Sequence, residues 1–484
     1  MKAHLVADEK RKWWTLGAVA FGLFMIMLDN TVVNVALPAI EESLNLKIEA
    51  LEWVVAGYAL TFGALMLTGG KLADLLGRRR IFVAGLVIFT LSSLGCGLST
   101  SATMLIAARV VQGVGAAMMN PATLSIIAVT FPPKERGTAI GIWAGVSALA
   151  LAIGPLVGGV ITEHINWNWI FFINVPVGVI AIIAAYLFID ESRDTSHEQK
   201  PDIPGLIASS LGLFALSYAL IEANTYGWTS SRILVAFAVA AIALVGFVVL
   251  EAKQRLPMLD LSLFRNRTFA GANATMLFVA LAMFGVFFYV SLFMQQILGF
   301  SPTSAGAAFL PMTVLIIVIA PQAGRLSDRL GARGLAGSGM VLLAISLFLF
   351  SRLDENSTFW SLLPAMLAGG FGMAITMTPT TAAAMSAVAR DKAGVGSAVL
   401  NSMRQVGGSL GIAIMGAIVA SQSTSWLRAG HPQKEAFLHG LHDSLLVASG
   451  IALVGAVVAV STVRKPRHHG HPGEAEAPPA VVAD

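Results

Sequence analysis

Runs of roughly twenty predominantly apolar residues, bounded by charges and turn residues, recur along the whole chain. That is the length a helix needs to cross the hydrocarbon of a bilayer. Fourteen such runs are read, at 15–38, 50–70, 81–99, 104–128, 138–162, 169–189, 203–223, 232–252, 269–294, 303–324, 334–351, 358–388, 394–420 and 441–463. A soluble protein of 484 residues would need far more surface charge than the 12% of Asp, Glu, Lys and Arg found here. The chain is therefore expected to be an all-α integral membrane protein. The first run follows Lys10, Arg11 and Lys12 but is too long for a cleaved leader, so a retained helix is expected.

Charge sets the sidedness. With the amino terminus inside, 24 basic residues fall on the cytoplasmic side and 5 outside, and enrichment of Lys and Arg in cytoplasmic loops is the general rule. Both termini are thus expected in the cytoplasm of a cell bounded by this membrane, and the Pro-, Ala- and Glu-biased tail 464–484 is expected to be disordered there. Basic residues scattered singly between apolar runs do not build a nucleic-acid surface, and no phosphate loop is present. One cysteine, Cys96, rules out a disulfide framework. All nine histidines lie in loops, termini or helix ends, so neither a metal site nor a cofactor is expected, and an enzyme buried in the membrane is disfavoured.

The chain repeats itself. Gly70-Lys-Leu-Ala-Asp74-Leu-Leu-Gly77-Arg78 closes the second run and Gly324-Arg-Leu-Ser-Asp328-Arg329-Leu-Gly331 closes the tenth, at a constant offset of 254. Gly113 and Gly115 of the fourth run are echoed by Gly370 and Gly372 of the twelfth. The division that follows is an amino-terminal six-helix half over 1–190, two inserted helices with their linkers over 191–268, and a carboxy-terminal half over 269–463. Parallel halves around a central site are a transporter architecture. Each repeated loop joins a helix-ending glycine, an Asp and Arg residues, a combination suited to a charge-assisted bond to the next helix of the same half that holds one arrangement until the halves rock.

These loops resemble the signature loop of the major facilitator superfamily, and Leu28-Asp29-Asn-Thr31-Val-Val-Asn34-Val-Ala-Leu37-Pro38 resembles the first-helix motif of its fourteen-helix drug:proton antiporters. Similar matches are Arg109-Val-Val-Gln112-Gly113, Gly154-Pro155-Leu-Val-Gly158-Gly159, Trp167-Asn-Trp169 with Asn174-Val-Pro176, and Asn401-Ser-Met-Arg404-Gln405-Val-Gly407-Gly408. Leu75 and Asn168 depart from the pattern, both standing where the family favours a basic residue. The resemblance implies export of amphipathic drugs or other small toxic molecules across the plasma membrane by alternating access, in exchange for protons. It implies a monomer in the bilayer whose partners are cargo and protons, and a periplasmic adaptor stays open. The alternative is an importer or facilitator of a small polar solute with the same fold, disfavoured by the few polar residues in the runs.

Ionisable residues inside a span are expensive unless paired or hydrated, and so mark function. Asp29 and Arg109 fall in the outer halves of the first and fourth helices, about 6 Å apart in depth at a rise of about 1.5 Å per residue, and so within reach of one another. Gln112, one turn from Arg109, is placed to extend their polar path. The resemblance associates Asp29 and Arg109 with proton coupling and makes Gly154, Pro155, Gly158 and Gly159 the antiporter motif that seals the cavity against leak. Asn34, Glu222, Asn401, Arg404 and Gln405 are the expected cavity residues. For Arg404, with no acid at its depth in the carboxy-terminal half, three partners stay open: helix carbonyls, water, or an anionic group of the cargo.

Overall fold

The computed structural model describes residues 8–193, 202–255, 257, 259–388 and 393–463. The expected disordered tail lies outside them. Sixteen α-helices are formed: α1 (Asp8–Leu44), α2 (Ile48–Leu76), α3 (Arg78–Gly97), α4 (Ala102–Thr130), α5 (Pro133–His164), α6 (Trp169–Phe172), α7 (Asn174–Phe188), α8 (Ile203–Tyr226), α9 (Ser231–Lys253), α10 (Arg267–Leu292), α11 (Pro302–Ala308), α12 (Leu310–Leu330), α13 (Ala332–Phe350), α14 (Phe359–Ser386), α15 (Ala393–Arg428) and α16 (Gln433–Thr462). Among the described residues they supply fourteen spans long and apolar enough to cross a membrane.

The helix ends follow local chemistry. Ser101 accepts from the Met104 N–H at the start of α4, and Asn266 accepts from the Thr268 and Phe269 N–H groups at the start of α10, each satisfying an orphan amide. Gly77 and Gly331 end α2 and α12 at φ of +115° and +86°, a region open to glycine, so the repeated glycines are required by the same turn. Several helices run past the expected spans. α1 continues through Pro38 to Leu44, and α16 begins at Gln433, eight residues before the expected 441. The tenth span is broken at Phe309, two residues before Pro311, and the ninth closes in a π-helical segment over Phe293–Ile297.

The sequence repeat is a packing repeat. A Cβ on Gly113 would meet the Tyr58 carbonyl and Thr61, and one on Gly370 would meet the Met312 carbonyl and Leu315. Likewise Gly115 lies against Gly85 and Phe89, and Gly372 against Gly339 and Leu343. Each partner pair is again 254 residues apart. Two six-helix halves are thus built by one set of close helix crossings, which small residues permit. The inserted helix α8 lies across both halves, with Ile221 packed against Ala56 of α2 and Ala413 of α15, while α9 is largely exposed.

The two described ends of the chain share one face, here the terminal face. There Lys12 pairs with Glu135 at 2.6 Å, Arg11 with Asp190 at 2.9 Å, and Gly271 abuts Thr462. α2 and α15 pack across the halves as far as Gly63 against Gln405 and Leu67 in one apolar cluster with Met403, while the hydrogen bonds between the halves lie toward the opposite, distal face. Gln295 donates to the Val35 carbonyl at 2.9 Å, Gln296 donates to Glu41, the Thr303 N–H donates to Glu163 at 2.9 Å, and Ser409 donates to the Ala56 carbonyl at 3.4 Å. Among the described residues no hydrogen bond joins the halves closer to the terminal face than that last one. The α5 glycines tell the same story: Gly159 touches Pro302 and Thr303, whereas Gly141 and Gly145 have nothing within 4 Å.

That contrast generates a test. On Gly158 an added methyl would lie 2.5 Å from the Val32 carbonyl oxygen and 2.9 Å from its Cγ2. Gly158→Ala should cost about 1–3 kcal/mol through overpacking, whereas Gly145→Ala should be neutral. Thermal unfolding of the detergent-purified protein measures both, and an unshifted Gly158→Ala midpoint would contradict the tight seam.

Candidate functional site

A buried cluster sits in the distal half of the amino-terminal bundle. Asp29 is 0% and Arg109 1% exposed, so a carboxylate and a guanidinium are both withdrawn from solvent. Arg109 Nη1 donates to Asp29 Oδ2 and, at 2.7 Å, to Gln112 Oε1. Gln112 Nε2 donates to Asp29 Oδ1 at 3.0 Å and to Ser93 Oγ at 2.6 Å. Asn174 Nδ2 reaches the same Ser93 Oγ at 3.2 Å and Asp29 Oδ1 at 3.5 Å. Arg109 Nε donates to the Val54 carbonyl at 3.0 Å, and its Cζ stands 4.2 Å from the centre of the Tyr58 ring.

Five helices, α1, α2, α3, α4 and α7, therefore converge on one ion pair. Such convergence has a reason: a buried pair recovers its desolvation cost only if the remaining donors and acceptors are also satisfied. Gln112 serves this end because one amide both accepts and donates, bridging the pair to Ser93. Ser93 and Tyr58 escaped the sequence reading and Asn174 entered it only within a motif, since neutral polar and aromatic residues in a span carry no signal of their own.

The glycine motif is applied to the same turn of α1. Gly154 lies against Thr31 and the Leu28 carbonyl, and Gly158 against Val32. On its other side the motif meets the carboxy-terminal half, where Gly306 abuts the Pro155 carbonyl and Gly159 abuts Pro302. One face of α5 thus touches the turn that carries Asp29 while the other closes the distal face.

In the first repeated loop Arg78 Nε and Nη2 both donate to Asp74 Oδ1, at 3.0 and 2.9 Å, linking the end of α2 to the start of α3. Gly77 leaves room for Glu191, which accepts from the Arg79 N–H at 3.2 Å. Gly70 rests on Pro121. In the second copy Gly324 touches Thr378 and Arg329 is exposed, while the Asp328 side chain lies outside the described residues.

The expected cavity residues do not form one group. Asn34 donates to the Asn30 carbonyl of its own helix at 3.3 Å, and Asn401 likewise to Ser397 at 3.0 Å. Glu222 accepts from Trp53 Nε1 at 3.4 Å in the seam between α8 and α2, apart from the α15 residues. Arg404 and Gln405 occupy the middle of α15, with Gln405 1% exposed and its Cβ side facing Gly63 of α2.

A further buried carboxylate was missed. Glu52 of α2 is 2% exposed and accepts from the Tyr289 hydroxyl of α10 at 2.7 Å, joining the two halves near the distal face. Gly416 of α15 makes the space, because a Cβ there would strike both groups. An acidic residue inside the expected span 50–70 was the available signal.

Comparison with known proteins agrees with this architecture. The model of the Major Facilitator Superfamily matches residues 19–412 and again 272–483, and the chain belongs to that family. It is 33% identical to the tetracenomycin C resistance and export protein of Streptomyces glaucescens, over 95% of this chain and 94% of that protein. It is 36% identical to the multidrug resistance protein Stp of Mycobacterium tuberculosis, over 86% and 76%. The fold is similar to the inward-facing, unoccupied structure of a bacterial homologue of the human lysosomal transporter Spinster, with a TM-score of 0.68 at 20% identity over 94% of this chain and 97% of that one. The protein is therefore a multi-pass membrane transporter, not an enzyme, and its relatives include drug-resistance exporters.

If the pair organises the bundle, its two charges should be worth less apart than together. Asp29→Leu strands a buried guanidinium and should cost about 3–5 kcal/mol, while the double variant Asp29→Leu with Arg109→Leu should recover much of that loss. Unfolding midpoints of parent, single and double variants decide the point; costs that simply add would show that the pair is not coupled.

Proposed function

We propose that this transporter is a proton-coupled antiporter that exports amphipathic, drug-like molecules across the plasma membrane, with the terminal face in the cytoplasm. The observation that carries the reading is the contact of the α5 glycine motif with the Asp29 turn on one side and with the distal closure on the other. Proton uptake by Asp29 removes one charge of the buried pair and releases Arg109 toward Gln112 and the Val54 carbonyl. The α1 turn then shifts against Gly154 and Gly158, and α5 transmits the shift to Pro302 and Gly306 across the halves. Closed distal contacts and hydrogen bonds between the halves that, among the described residues, gather toward the distal face correspond, in this reading, to the inward-facing state that receives cargo. The Asp74–Arg78 bond holds α2 and α3 as a rigid unit on that side. The names of the relatives support export of toxic small molecules, and the 24 to 5 distribution of basic residues supports the orientation.

Two measurements test the proposal. In proteoliposomes with an imposed pH gradient, Asp29→Asn keeps the side chain's size but removes its titration, and should abolish uphill transport while leaving insertion intact. Undiminished uphill transport by that variant would remove Asp29 from the coupling step; wild-type transport that ignores collapse of the gradient would leave a facilitator instead. For sidedness, a phosphatase reporter placed in the turn at 429–431 should be active and one fused after Val463 silent, and the opposite pattern would invert the assignment.

A further inference from the structure

The middle of α15 carries polar groups that the coupling cluster does not use. α10 and α15 run in register, with Leu277 against Gly407, Leu281 against Gly411 and Gly285 against Met415, always 130 residues apart. This register sets Asn273 of α10 level with Met403 and Arg404. Arg404 stands one turn before Gly408, whose contact is Phe284 of α10, so Arg404 is on the α10 side of its helix, and Gln405 is on the α2 side against Gly63. Asn401, three residues before one and four before the other, lies between them.

At this level buried polar atoms are left over. Asn273 Oδ1, Ser402 Oγ, Arg404 Nε and both amide atoms of Gln405 have no hydrogen-bond partner among the described residues. Among the described residues Arg404 forms no ion pair, unlike Arg109, and its Nε bonds no helix carbonyl. A guanidinium keeps its charge at any physiological pH, and Arg404, half-buried with its Nε withdrawn, meets no anion among the described residues. Unsatisfied buried polar groups call for an explanation. Two of the three partners left open for Arg404 by the sequence were internal carbonyls and an anion on the cargo; the first is not used.

We propose that this turn of α15 is the subsite for an oxyanion of the cargo. Arg404 takes a carboxylate, or an equally delocalised phenolate or enolate, through its planar fork, and Gln405 Nε2 supplies a further donor. The subsite deepens the exporter reading and rests on it, because it names the chemistry of what is exported.

Rhodamine 110, which carries a free carboxyl group, and rhodamine 123, its methyl ester, form a matched pair of probes. Uptake of each is measured in everted membrane vesicles containing the full-length protein at equal levels. Arg404→Gln should lower rhodamine 110 transport at least tenfold while rhodamine 123 stays within twofold, and Arg404→Lys, which keeps charge but not the fork, should fall between. Gln405→Met, close to isosteric, should lower rhodamine 110 alone by a smaller factor and serves if Arg404→Gln does not insert. Equal losses for both dyes, no loss for either, or a wild type that moves rhodamine 123 but not rhodamine 110 would overturn the subsite and leave the exporter intact. A wild type that moves no dye of a wider panel would overturn the exporter reading, and the subsite with it.

Discussion

The constraint on which the amino-terminal half depends is a charge pair that water does not reach. Asp29 and Arg109 are held where an isolated charge would be expelled, and the surrounding sequence is arranged to make that position tolerable. Ser93, Asn174, Gln112 and the Val54 carbonyl satisfy the remaining hydrogen-bonding capacity, and Tyr58 offers its ring face to the cation. Because these groups come from five helices, any change in the pair's charge state is felt by all of them at once. Under the proposed coupling, a proton taken up here would reach the whole bundle without a separate relay.

The second constraint is close approach. Glycines bring α4 onto α2 and α3, and their counterparts bring α14 onto α12 and α13, so the two halves share a design at the level of atomic contacts. The halves diverge in what that design encloses. The amino-terminal one contains a neutralised pair, and the carboxy-terminal one contains an arginine, Arg404, with no anion among the described residues. In the proposed antiport, the first would carry the proton and the second the cargo.

Much of this was legible beforehand for physical reasons that can be named. Apolar runs fix the number of crossings because lipid imposes a length, and a carboxylate or arginine inside such a run advertises itself. Asp29, Arg109 and the offset of 254 were visible on those grounds. Ser93 was not, and Asn174 was seen as a motif residue but not as a partner of the pair, because their importance lies in the groups they satisfy. Glu52 was passed over because it stands close to a helix end, where charge ordinarily meets water; only the packing of Tyr289 and Gly416 from the other half buries it. The break at Phe309 goes with Pro311 and the early start of α16 follows Pro432, local signals that hydropathy does not weigh.

The placement of α8 has a mechanical consequence. It straddles the meeting line of α2 and α15, and Asn224 donates to the Ala417 carbonyl at 2.8 Å while Trp53 bonds Glu222. On the opposite flank, where α5 meets α11 and α12, no inserted helix spans the joint. The protein resembles a book bound along one edge: movement about the bound edge changes little there and much at the free edge. A molecule approaching the joint from the lipid leaflet therefore meets two unequal flanks, one covered by α8 and one lined by α5, α11 and α12.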